Sequence, residues 1–363
     1  MATPPANCNL SAVSPGTLQR KVPAPESFTS GRIWPTVVGI ALTLILWEVP
    51  LRLLPGLPRP VQEDSVNGSV LTTFYYSEGL AISHFTPSRA RLTGNRVLPG
   101  APYVVIVGDS YVEALQVSDQ QTMGSVLERK ARRSGQAVNV RQYGWSGDSP
   151  AHYALIAREL QQLWQPTLVC VILNADDFTP EALKNHWAEM KLRANAPPTI
   201  TPVEQGGDGQ LRAMASWLML HSGLMKAVLQ RGILDILPTL WRMETPETSA
   251  EGIDDSTIVD ASVEVLNRAY GDALLIVLIQ NPDITGGYSP TTLENHFRQS
   301  CAAHKVDCIT TRQAFVDLRD TRRRFGFGFS NSLPQAGHIN ADGHRLVAEL
   351  IWADYRHRMY EGK

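Results

Sequence analysis

The sequence predicts an α/β fold, a mainly parallel sheet covered by helices on both faces, and three observations lead there. From residue 103 onward, short apolar runs alternate with stretches of helix length. The runs are rich in β-branched residues and unbroken by polar ones, as parallel strands buried on both sides require. At 363 residues and 43% hydrophobic composition, the chain is long enough for one large domain with additions.

Residues 1–32, rich in Pro, Ser and Thr, read as a disordered tail. Residues 33–54 are close to the roughly 20 apolar residues that cross a bilayer, so they are expected to form one transmembrane helix. Trp34 and Trp47 suit the two interfaces, and Glu48 and Arg52 stand at i,i+4 spacing where they pair or reach headgroups. About 32 residues precede the run, against a cleaved signal peptide, which has a short basic start. Arg20, Lys21 and Arg32 before the span against Arg52 and Arg59 after it put the tail in the cytoplasm and the remainder outside.

Residues 55–102 show no strong period and are taken as a leading segment lying against the domain of residues 103–363. Within that domain the expected strands are 103–107, 137–142, 168–173, 273–279 and 307–311. The expected helices are 123–133, capped by Thr122; 150–163, with Ser149-Pro150 as cap and first residue; 180–192; 257–270; 291–304; and 341–357. A segment at about 195–246 breaks the rhythm with a Pro/Gly-rich loop and an apolar helix 211–237, read as packing, a lid or a membrane contact.

A balance of 33 basic against 35 acidic residues, with no basic run interleaved with aromatics, argues against a nucleic-acid partner. Cys301 and Cys308 flank a helix-to-strand turn, where they either bridge or stay as two buried thiols. No pair of histidines with a carboxylate stands at ligand spacing, so neither a metal nor another cofactor is expected.

Ligands of open α/β sheets bind beyond the carboxyl ends of the strands. Four polar stretches are expected there: Asp109-Ser110; residues 142–150 with Gly147; residues 174–177; and residues 337–344 with His338. Gly108-Asp109-Ser110 is a common turn sequence, yet at a strand-to-helix junction Ser110 can attack a carbonyl while its own N–H steadies the oxyanion. Gly147 allows backbone to approach a ligand and donate an N–H, and His338 supplies the base a serine needs. Asp109 is read as a loop-organising acceptor and His344 as a packing or capping residue.

In order and spacing, three blocks resemble the SGNH (GDSL-like) hydrolases over about residues 103–352: residues 108–110, 146–149 and 338–348. The flanks of Ser110 and of the apolar run resemble bacterial membrane-anchored members associated with surface polysaccharides. The resemblance implies a flavodoxin-like three-layer sandwich, Ser110 as nucleophile, His338 as general base, and an oxyanion held by Ser110 N–H, Gly147 N–H and a side-chain amide. It also implies an extracytoplasmic esterase or O-acyltransferase on the inner membrane, acting on acylated, chiefly acetylated, polysaccharide. Two positions depart from the pattern. The family's asparagine aligns with Asp176, and Asn174 replaces it only if the loop shifts by two residues. The family's orienting aspartate falls on Gln335 or Ala336, where only Gln335 has an oxygen to offer the ring. These departures motivate a second reading, a degenerate member that binds glycan or scaffolds an envelope complex without turnover. A lipase or thioesterase lidded by helix 211–237 is a third.

Overall fold

The centre of the fold is β3 (Tyr103–Gly108), whose side chains alternate between two cores. Val105 and Val107 enter one cluster with Val169, Val171, Ile276 and Leu278, while Val104 and Ile106 enter another with Cys170, Ile172, Leu275 and Val277. Both faces are dry, so each of these aliphatics contributes about 1.5–3 kcal/mol through burial. The computed structural model describes residues 71–75, 78–86, 88–185, 187–193, 196–203, 254–282 and 289–358, and five earlier positions, Val38, Gly39, Leu42, Thr43 and Leu46.

Five parallel strands make the sheet, in the order β4 (Asn139–Gly144), β3, β5 (Leu168–Leu173), β8 (Leu274–Leu278), β9 (Asp307–Thr310). Counted among themselves they run 2-1-3-4-5, the doubly wound order whose ligands bind where the winding reverses, between β3 and β5. The first core is closed by α3 (Pro150–Leu155), α4 (Ala157–Trp164), α5 (Asp255–Tyr270) and α6 (Thr292–His304). The second is closed by α2 (Met123–Arg133), α7 (Arg312–Arg322) and α8 (Ala341–Arg356). Thr122 caps α2 through its side chain, and Thr291 with Glu294 forms a capping box on α6.

Several local expectations change. The helix expected over 180–192 is a 3-10 turn, Pro180–Leu183, followed by β6 (Ala188–Arg193) paired antiparallel with β7 (Ala196–Pro202). Its residues are ordinary helix formers, but Ala188 and Met190 are buried while Glu189 and Lys191 are not, a period of two. The helix expected over 150–163 breaks at Ile156, and α7 was not foreseen. The leading segment holds a hairpin, β1 (Leu71–Tyr75) with β2 (Ala81–Phe85), and Arg91 bridges Gln142 of β4. Cys301 and Cys308 are joined in a disulfide.

The chain divides into two units, residues 1–53 and 54–363. Among the described residues no helix is long and apolar enough to cross a membrane. Most of the apolar run 33–54 and all of the expected helix 211–237 lie outside the described residues.

Candidate active site

β3 ends at the winding reversal and delivers Asp109 and Ser110 into α1 (Ser110–Glu113), a single turn that Ala114 closes in the left-handed region at φ 54°. Asp109 stays outside the helix and organises the junction. One carboxylate oxygen accepts from Tyr111 N at 2.9 Å and the other from Asn174 Nδ2 at 2.6 Å. Ser110, half-buried, opens the turn, so its N–H has no helical acceptor and donates to no described residue.

Arg91 fixes the chain that follows. Fully buried, it donates to the carbonyl oxygens of Glu113, Ala114 and Val117 at 2.7–2.9 Å and pairs with Asp119 at 3.0 Å. Glu113 in turn accepts from Ser146 N at 3.2 Å and from the Ser146 hydroxyl, tying the loop after β4 to the helix that starts with Ser110. Burial raises the Glu113 pKa, opposed by the bonds from Ser146 and the charge of Arg91.

In that loop Asp148 N donates to Trp145 O at 3.0 Å, a turn whose third residue, Gly147, has φ +74°. Space around its α-carbon is open, so the backbone angle alone calls for glycine. The Gly147 N–H also donates to no described residue.

His338 comes from the loop between α7 and α8, pinned where Gly328 N donates to His338 O at 3.0 Å. Its Nε2 lies 3.0 Å from Ser110 Oγ, and its other nitrogen, Nδ1, lies 2.5 Å from Glu78 Oε2. Glu78 Oε1 accepts the His338 backbone N–H at 2.9 Å. Sequence reasoning missed Glu78, which lies in the leading segment 260 residues away. Asn331 fastens that segment by accepting from Gly79 N at 2.7 Å and donating to Gly79 O at 3.1 Å. One signal was present in Gly337: at φ +70°, any Cβ there would overlap the Glu78 carboxylate. Burial works to raise the Glu78 pKa, but the hydrogen bonds and charge of His338 outweigh it and hold the carboxylate below its ordinary range.

The ring partner expected of Gln335 is therefore Glu78. Gln335 is buried, with φ +58°, and neither polar atom of its side chain bonds a described residue. Of the two oxyanion candidates, Asn174 stands beside Ser110 through its bond to Asp109, and its Oδ1 accepts from Asp176 N at 2.7 Å. Asp176 is exposed on the following turn. Asn174 N donates to Asp177 Oδ2 at 2.8 Å, so one buried carboxylate holds the side-chain amide and another the backbone of the same residue. Burial pushes Asp109 up to about 6 and Asp177 well above the carboxylate range, the latter also by the charge of Asp109. His344 is sealed in the core and pushed down to about 3 by burial, with Arg91 and His338 adding to the effect.

Among the described residues, no group of three or more His, Cys, Asp or Glu is placed to hold a metal ion. What the arrangement offers is a serine hydroxyl beside a base oriented by a carboxylate, with the N–H groups of Ser110 and Gly147 and the Asn174 amide following the carboxyl ends of three neighbouring strands, β3, β4 and β5.

No protein-family model and no curated protein matches the chain. Solved structures similar to it include a lipase/acylhydrolase from Enterococcus faecalis, 14% identical, covering 71% of this chain and 96% of its own at a TM-score of 0.41. A psychrotrophic esterase EstA from Pseudoalteromonas sp. is 12% identical, covering 71% and 98% at 0.35. The acetyl xylan esterase AlAXEase is 12% identical, covering 69% and 98% at 0.36. At such TM-scores nothing about this chain's chemistry follows from these likenesses.

Proposed function

We propose that this chain is a serine hydrolase or acyltransferase of the SGNH type that removes or moves O-acyl groups, chiefly acetyl, on a surface polysaccharide. The observation that carries the reading is the continuous relay from Ser110 Oγ through the two nitrogens of His338 to Glu78, at 3.0 and 2.5 Å. In this mechanism Ser110 Oγ attacks the ester carbonyl and His338 Nε2 takes its proton. Glu78 keeps the other nitrogen protonated and steadies the imidazolium. The N–H groups of Ser110 and Gly147 and the Asn174 amide face the developing oxyanion. His338 then returns the proton to the departing sugar oxygen, and water or another sugar hydroxyl resolves the acyl-serine.

The reading without turnover grew from a missing orienting acid and a carboxylate at the oxyanion position. Glu78 beside His338 and Asn174 beside Asp109 support turnover over that reading. Anchoring in the bacterial inner membrane with the domain outside completes the proposal. It is supported by the composition of residues 33–54 and by helical, exposed apolar positions at Val38, Leu42 and Leu46. A fluorophosphonate probe that cannot cross membranes tests activity and topology together. It is expected to label the wild-type chain on intact spheroplasts and not the Ser110→Ala chain. Labelling of neither chain after lysis, with both folded by circular dichroism, sinks the catalytic reading; labelling only after lysis sinks the topology.

A further inference from the structure

Next to the oxyanion turn stands a second histidine–carboxylate pair that the relay does not use. His152 Nδ1 lies 2.5 Å from Asp148 Oδ2, whose other oxygen accepts from Ser149 N at 2.9 Å and Asn185 Nδ2 at 2.8 Å. The carboxylate side chain is fully buried, while the His152 side chain keeps 11% of its surface. With Nδ1 committed to Asp148, Nε2 is the polar atom left over, and it bonds no described residue. The similar pair of His84 and Asp119 differs, because His84 Nε2 is sealed from solvent.

Aromatic surface frames the His152 ring. Trp187 stacks on it, with centroids 5.6 Å apart and planes at 18°, and Trp145 meets it edge-on at 5.3 Å. Both indoles are partly exposed. Tyr143 backs Trp145 at 6.0 Å and accepts from Trp164 Nε1, so the wall is held in place before any ligand arrives. Its position is set by the sheet. Gly144 pairs with Gly108 at the end of β3, Trp145 N donates to Gly108 O at 3.2 Å, and the Trp145–Asp148 turn carries Gly147 directly after Trp145 and Ser146.

Flat apolar faces beside one oriented polar atom suit a ligand with an apolar face and a polar edge. A pyranose ring is such a ligand, with its C–H face on one side and hydroxyls around its rim. We infer that Trp145, Trp187 and His152 form a subsite for the sugar ring of the acylated glycan, which lies on the indole surface while one hydroxyl hydrogen-bonds His152 Nε2. This deepens the function proposed above and rests on it only for the reaction that follows binding.

The test uses the full-length, detergent-solubilised chain carrying Ser110→Ala, titrated calorimetrically with unacylated hexasaccharides of β-1,4-linked xylose, mannose, glucose and N-acetylglucosamine. At least one is expected to bind. On that background Trp187→Ala is expected to weaken the binding about tenfold, His152→Gln to weaken it, and Trp187→Phe to restore most of it. The inference is overturned if none of the four binds, or if Trp187→Ala binds as tightly as its parent. Where Trp187→Ala misfolds by circular dichroism, His152→Gln against Trp187→Phe decides in the same way. A chain with intact Ser110 that binds a hexasaccharide but hydrolyses neither p-nitrophenyl acetate nor acetylated xylan overturns the catalytic reading alone.

Discussion

Glu78 and His338 meet through two contacts at once, carboxylate to ring nitrogen at 2.5 Å and carboxylate to backbone N–H at 2.9 Å. A bidentate hold of this kind fixes the imidazole's tautomer and its plane, which is what lets Nε2 face Ser110.

Glu78→Gln keeps the side chain's shape and removes its charge. It is expected to lower kcat on p-nitrophenyl acetate by up to about 10⁴ with KM little changed, whereas Gln335→Ala leaves kcat near that of the parent. Equal losses in the two variants, measured by steady-state kinetics, would return Gln335 to the ring.

The oxyanion donor can be assigned by a second pair. Asn174→Ala is expected to cost about 10²–10³ in kcat, and Asp176→Asn, on an exposed turn, to change it little. A rise in kcat on Asp176→Asn would instead put that carboxylate against the oxyanion.

At Gly147, alanine has room for its methyl but must hold φ near +74°. Gly147→Ala is expected to lower stability by about 1–2 kcal/mol. Kinetically, the displaced N–H appears in kcat more than in KM. Urea unfolding beside kinetics separates the two effects, and an unchanged kcat removes Gly147 from the oxyanion site.

Asp109 gives the fold a pH dependence of defined sign. Burial raises its folded pKa to about 6 against an ordinary 3.8, so the folded state holds the proton more tightly. The stability this contributes is present below about 3.8 and lost as pH rises to about 6, up to about 3 kcal/mol. Asp109→Asn mimics the protonated acid, so the wild type's stability relative to this variant is expected to fall between pH 4 and pH 6.5. A flat difference in urea unfolding across that window rules out the raised pKa. Glu78 acts in the opposite sense: its contribution is present at neutral pH and lost only as pH falls below its ordinary 4.5.

Much of this architecture was legible in local pattern. Thr122 and Thr291 announce helices because a cap is a contact over three residues, and the strands announce themselves as apolar runs. Asp109, Ser110 and Gly147 were visible because turn chemistry is local as well. Glu78 was not, since a contact across 260 residues leaves no period, and its trace in Gly337 is readable only once its partner is known. The pairing of Asp148 with His152 was not drawn from the sequence because spacing alone does not separate a packing pair from one with an open nitrogen. The strand β6 shows another limit: Ala188-Glu-Met-Lys-Leu-Arg193 alternates like a strand, yet each residue tolerates a helix, and pairing with β7 decides.

The order in which the relay's members leave the ribosome follows from their places in the chain: first the acid, then the serine, last the base. Until the segment carrying His338 has been made and docked, the domain holds an acid and a hydroxyl with nothing between them. In the proposed reaction, turnover therefore waits on the loop between α7 and α8. On the proposed reading, a copy that lacks that loop has no base for Ser110.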